Sequence, residues 1–376
     1  MQYKKAIHSI TRQHLKQSAI RISRPFKSLD TLYGRAIHEL EHLSLPLASR
    51  RAIVSQFWGV ESAQSQKVES EGDPYFSYFE RQCRDARQLD DAVRPVCTQH
   101  NICDIVEQLK TGETRENIRE KLLQKATDDP FGVLNTRFFD LAIDLAVRLW
   151  LMVHAEYVYR GVTSQTSITW QSGTLNEALY GRFRHELILT DQIKLERVFN
   201  AMNIERIADV RIQWTPNLVD HLRFIEDGKT AVLNIFYHAT FLKYHTDSKI
   251  YPPGLIEETR RTLALLLPQH DNACKKWFRS HHSKLRLDPA AINCGHLKLE
   301  ERQITRFKYW HDRLVVIKQF FDESEPRTIK QWWYDNRKRV QWFWVAIVLV
   351  ICTILFGIIQ CLRGGGRSGK RIILKR

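Results

Sequence analysis

The chain reads as mainly α, with a small α/β or winged-helix-like part and one C-terminal transmembrane helix, on three observations. Val340 to Leu362, VQWFWVAIVLVICTILFGIIQCL, holds no charged side chain; its length matches the roughly 20 apolar residues an α-helix needs to cross a hydrocarbon core. Ahead of it, apolar residues recur mostly at steps of three and four, the period of one helix face. Around Val210, Ile212 and Trp214 they alternate instead, which is strand spacing.

Taken in order, residues 1–28 form a basic segment. Lys4, Lys5, Arg12, Lys16, Arg21, Arg24 and Lys27 precede the first acid, Asp30. No continuous apolar run marks a secretory signal there; a solvated tail is the plain reading and an organelle transit peptide the alternative. Residues 29–160 read as a helical domain. Leu29, Leu32, Ala36, Leu40 and Leu43 share one helix face up to Pro46, and Leu47, Val54, Phe57 and Trp58 share the next. Ser62 to Pro74 reads as a loop, Phe76 to Arg94 as a helix, and Ile102, Val106 and Leu109 as another. A short surface helix is expected at Asn117 to Lys125. Leu134 to Tyr159 is apolar enough to suggest a second span, but Asp140, Asp144 and Arg148 fall on one face at steps of four. Three charges at bilayer depth would cost several kcal/mol. A central core helix with an Asp144–Arg148 pair is expected instead.

Residues 161–325 read as an α/β or winged-helix-like domain. Thr174 and Glu177 have capping-box spacing ahead of Leu175, Leu179, Phe183 and Leu187. Leu195, Val198, Phe199 and Met202 mark a helix. The strand at Val210 to Trp214 is followed by an expected helix from Thr215-Pro216 through Leu218, Leu222 and Ile225, then by a turn at Asp227-Gly228 and a strand, Ala231 to Tyr237. Pro252-Pro253 and Pro268 bracket a helix with Glu257 and Glu258 in its first turn. Asp271 to Glu301 is basic and reads as irregular. Phe307, Trp310, Leu314, Ile317 and Phe321 give an amphipathic helix. A juxtamembrane helix is expected over 326–339, the span over 340–362, and a basic glycine-rich tail over 363–376.

The flanks of the apolar run suit a membrane interface. Trp332, Trp333, Tyr334, Trp342 and Trp344 crowd one end, among Arg337, Lys338 and Arg339, and Arg363 closes the other. Basic residues on both sides leave orientation open by charge alone. Late insertion as a tail anchor, with the bulk cytosolic and endomembrane favoured over mitochondria, is the expectation. Lys and Arg number 57 against 42 Asp and Glu, a net charge of +15, which favours anionic surfaces. With a span already beside lipid, the bilayer is the expected partner, together with another protein; nucleic acid is not favoured. Seven cysteines, two of them in the run, are too few and too irregular for a disulfide scaffold and read as reduced thiols. Cys361, at the membrane boundary, is a candidate for reversible acylation.

Four stretches carry a resemblance: Ala201 to Leu222, Ala231 to Tyr244, Pro252 to Pro268 and, most specifically, Phe320 to Val350, FFDESEPRTIKQWWYDNRKRVQWFWVAIVLV. In these the chain resembles a family of uncharacterised fungal proteins with a single C-terminal span. The resemblance implies a membrane-anchored protein and brings no activity or catalytic residue with it. The basic end, RGGGRSGKRIILKR, departs from the less charged tail expected of that family.

Residues with chemical potential are sparse. His38, Glu39 and His42 match H-E-x-x-H, the pattern of a zinc hydrolase, although Leu40 and Leu43 read more simply as an amphipathic helix and no third ligand follows in a supporting context. Cys274, His281, His282, Cys294 and His296 are zinc-ligand types in one stretch, without closed-site spacing. Arg206, Arg211, Arg223 and Lys229 near Trp214 suggest a nucleic-acid face, but Glu205, Asp209, Asp220, Glu226 and Asp227 are interspersed. No phosphate loop, nucleophile elbow or kinase signature is present, so no cofactor is expected. The leading expectation is a non-enzymatic interaction module at a membrane surface; a zinc hydrolase and a tethered nucleic-acid binder are the alternatives.

Overall fold

The computed structural model describes residues 45–60, 73–89, 99–127, 136–156, 166–184, 188–189, 193–228, 230–325 and 338–368. The helix expected at Leu29 to Leu43 and the stretch 326–337 lie outside them. Helix α1 (Leu47–Trp58) ends on Gly59, whose φ of 66° lets its N–H reach back to Ser55 O, a left-handed cap that a side chain would strain. Helices α2 (Asp73–Leu89), α3 (Gln99–Lys110) and α4 (Arg115–Thr127) follow. They pack around α5 (Thr136–Leu151), the expected core helix. Phe139, Ile143, Val147, Leu149 and Leu151 of α5 are all buried, and each such side chain contributes about 1.5–3 kcal/mol by leaving water.

The C-terminal end of α5 is itself buried, so its last carbonyls need partners other than water. Tyrosines from two directions supply them. Tyr78 and Tyr75 of α2 donate to Arg148 O and Leu149 O, and Tyr251 donates to Leu151 O. Met152, at φ 50°, then breaks the helix, eight residues short of its expected end near Tyr159. The chain continues into β1 (Ala155–Glu156), which pairs in parallel with β2 (Ile168–Thr169).

Helix α6 (Leu175–Arg182) starts at the expected capping box, with the Thr174 side chain accepting from Glu177 N and the Glu177 side chain from Thr174 N. Helix α7 (Ala201–Ala208) begins later than expected, because Asn200 caps it through Asn203 N; Leu195 and Phe199 are buried in the stretch before it. Strand β3 (Val210–Thr215) leads to a correction. The expected helix beyond Pro216 is a single 3-10 turn, Leu218–Asp220, capped by Asn217. Left-handed Leu222 then turns the chain into β4 (Phe224–Asp227), which hairpins into β5 (Thr230–Phe236). Strand order is β3-β5-β4, with β3 parallel and β4 antiparallel to β5. One turn leaves no room for a recognition helix between first strand and hairpin, so this part is α/β.

Helix α8 (Ala239–Tyr244) and the proline-bracketed α9 (Leu255–Leu266) cover the core next. The stretch expected to be irregular holds α10 (Asn272–Leu285), capped by Asp271, and 3-10 turns at Pro289–Asn293, Glu300–Arg302 and Ile304–Arg306. Its apolar positions Cys274, Trp277 and Phe278 are too few to stand out among lysines and histidines. Helix α11 (His311–Glu323) buries Leu314, Ile317 and Phe321 as expected. One hydrophobic core runs from Leu45 to Phe321 and takes residues from both sides of position 160.

Helix α12 (Lys338–Ser368) carries the apolar run. Among the described residues no helix is long and apolar enough to cross a membrane. Side chains of α12 are described over 345–361, about 25 Å of helix at 1.5 Å per residue, against a hydrocarbon core of about 30 Å. The span expected over 340–362 therefore extends beyond what those residues decide.

Candidate functional site: a cleft along the edge of the sheet

The expected site residues do not assemble. His38, Glu39 and His42 lie outside the described residues, as do Trp332, Trp333, Tyr334 and Arg337. The side chains of Lys338, Arg339, Trp342, Trp344 and Arg363 are likewise outside them. Cys274 is buried with its thiol toward Leu266 O, and Cys294 bonds Ala290 O at 3.6 Å. Burial pushes both thiols up to about 12, which keeps them protonated and unreactive. His281 Nδ1 meets Trp277 O at 3.1 Å, His282 Nδ1 meets Leu287 O at 2.6 Å, and His296 stacks edgewise on His270. No group of three metal-ligand side chains forms among the described residues. Cys361 is exposed. Of the suggested nucleic-acid face, Arg223 is paired with Asp220, Glu205 accepts from Trp277 Nε1, and Lys229 is outside the described residues.

Asp140 and Asp144 are engaged differently from expectation. Buried Arg115 at the start of α4 donates from Nε to Asp140 Oδ1 at 3.0 Å and forms an ion pair through Nη1 with Asp144 at 2.8 Å, with its guanidinium 4.9 Å from the Trp170 ring centre. Arg148 bonds Gln82. The helix expected to lie on the surface thus supplies the central buried cation, and the ion cluster ties α4 to α5.

What the fold does assemble is a cleft of about 700 Å³ along β3. Arg211, Ile212, Gln213 and Trp214, four consecutive strand residues, form one wall; Arg81, Gln82 and Asp85 of α2 face them. Leu285, ending α10, Leu287, His154, Pro216 and Tyr237 complete the lining. Consecutive residues of a strand point to opposite faces of its sheet, so a wall containing all four is the strand's edge, side chains of both faces and the backbone between. Strand β3 has a neighbour only on its β5 side among the described residues. A second, larger cleft of about 940 Å³ adjoins this one at Leu287 and is lined by Arg50, Glu80, His282 and Arg286 among others.

The chemistry of the β3 cleft is that of a donor-rich binding surface. Burial pushes the Tyr237 phenol above its ordinary value against the pull of the Arg81 guanidinium. Burial, helped by Arg148, holds the His154 imidazole down at about 3. Neither group titrates near neutrality, where general acid–base work is most effective. Arg211, Ile212, Trp214, Pro216 and Tyr237 were named in the sequence as parts of local elements; Arg81, His154 and Leu285 meet them only through tertiary packing. No family model matches the chain, and no curated protein or solved structure is similar to it.

Proposed function

We propose that the protein is a single-pass membrane-anchored interaction module, with α12 as its anchor and the body of residues 45–325 binding another protein at the membrane surface. The observation that carries this reading is the exposure of apolar side chains along α12: Val345, Leu349, Ile351, Phe356 and Ile358 all lie at least half open. A helix that is apolar all round is stable where lipid or other helices cover it. Thr353, the hydroxyl within the run, donates to Leu349 O, which is how a hydroxyl is accommodated away from water. The uncharged residues 340–344 extend the run toward a full span.

Alkaline carbonate extraction of cell membranes tests the anchor. The full chain stays with the membrane pellet and a chain ending at residue 337 is released; release of both would end the reading. Protease protection with a tag at each end tests the side, with the N-terminal tag expected to be digested on intact membranes. Affinity capture after detergent extraction is expected to recover a stoichiometric partner.

A further inference from the structure

We infer that the edge of β3 left open among the described residues accepts an extended acidic peptide as an added strand, lying in the cleft between β3 and α2. The inference deepens the proposed role as a protein-binding module by naming the partner's chemistry. Strand edges carry alternate N–H and C=O groups directed away from their neighbour, and addition of an extended peptide to such an edge is a general mode of recognition. Here the edge opens into a formed cleft rather than onto flat solvent. Six residues of strand at 3.3 Å each give a docking line about 20 Å long.

The side chains of β3 dictate what the added strand should carry. Arg211 and Gln213 are exposed on one face, while Ile212 and Trp214 turn toward the other. Side chains directly across a strand pair share a face, so acidic residues would sit opposite Arg211 and apolar ones opposite Ile212 and Trp214. Arg81 adds a second cation from the facing wall, against the single carboxylate Asp85. Leu285, 55% exposed at the end of α10, offers an apolar contact to the alternate side chains. The implied ligand alternates acidic and apolar residues. Self-pairing through β3 is disfavoured, because Arg211 of a second copy would add a like charge along the same short edge.

The test uses the full chain in nanodiscs and, in parallel, in detergent micelles, with a blocked octapeptide of alternating glutamate and valine, followed by hydrogen exchange resolved to the strand. Expected is slowed exchange of amides over 210–215, weakened by salt and by Arg211→Glu or the milder Arg211→Gln, and absent for the same peptide N-methylated at every residue, which has no amide hydrogen to donate on either edge and cannot complete the ladder. Equal protection by the N-methylated peptide, equal competition by free glutamate, concentration-dependent pairing of the chain through β3, or no protection at all would each overturn it. Because peptide binding is also read in detergent, a failed anchor leaves this result interpretable. A chain that stays in membranes yet ignores the peptide sinks the peptide site alone.

Discussion

Three buried histidines set how the body responds to acid. His221 Nδ1 accepts the Phe236 N–H at 3.1 Å, so its Nε2–H donates to Thr262 Oγ1 at 2.7 Å, and the ring has no room for a second proton without losing a bond. His245 Nε2 sits between the Trp58 indole N–H and the Trp150 carbonyl. His238 is packed among Tyr78, Phe236 and Tyr237. Burial moves all three from 6.5 down to about 3. The unfolded chain takes up these protons near the ordinary histidine value and the folded chain does not, so between the two values acid favours unfolding. Stability is complete above about pH 6.5 and falls below it by about 1.4 kcal/mol per pH unit for each ring; with His154, also held at about 3, that is about 5.5 for the four. Urea midpoints measured from pH 7.5 to 5 should show that slope, and His245→Gln should lower it by about a quarter if its fold is kept. The Arg115 cluster gives a second expectation at this scale. Arg115→Met removes the 2.8 Å ion pair of Asp144 and leaves Asp140 with Arg119 at 3.7 Å; it should cost about 3–5 kcal/mol in urea unfolding, and replacing Asp140 and Asp144 by leucine as well should recover much of it.

Among the elements, α9 and α11 are joined by one carboxylate. Glu258 of α9 accepts the N–H groups of Lys308, Tyr309 and Trp310 at 2.7–2.8 Å, organising the turn that starts α11. Burial raises its pKa against those three bonds, so its own contribution to pH dependence has the opposite sign to that of the histidines. Glu258→Ala is expected to cost about 3 kcal/mol, since three backbone N–H groups lose their acceptor, and Glu258→Gln less; chemical denaturation of the two variants checks the order. In the sequence Glu258 looked like an ordinary first-turn acid, and nothing in its spacing announced a tertiary role. Elements with a strong local period were legible: α1, α5, α9 and α11, strand β3, and the capping box of α6. The 3-10 turn and strand at 218–227 were not, because Leu218, Leu222 and Ile225 fit a helical step that Asn217 and left-handed Leu222 cut short. Helix α10 escaped notice because its buried face is narrow and its exposed face strongly basic.

At the scale of the whole molecule the prediction concerns α12. Replacing Ile351 and Leu355 together by arginine places two charges near the middle of the run, each costing about 2.5–3.5 kcal/mol at bilayer depth. That double variant should be extracted by carbonate where the unaltered chain is not, and continued retention would argue for attachment through other residues. The sequence by itself determined the helical character of the body, the run of apolar residues at 340–362, the strand at Val210 and the net positive charge, since periodicity and composition are local properties. Tertiary structure alone decided that Arg115 rather than Arg148 meets both aspartates, that the zinc-type residues stay apart, and that β3 lies at an edge facing α2. Those outcomes depend on which separate segments pack together, and a contact between residues of different elements, from tens of positions to more than a hundred apart, leaves no mark on the spacing of either.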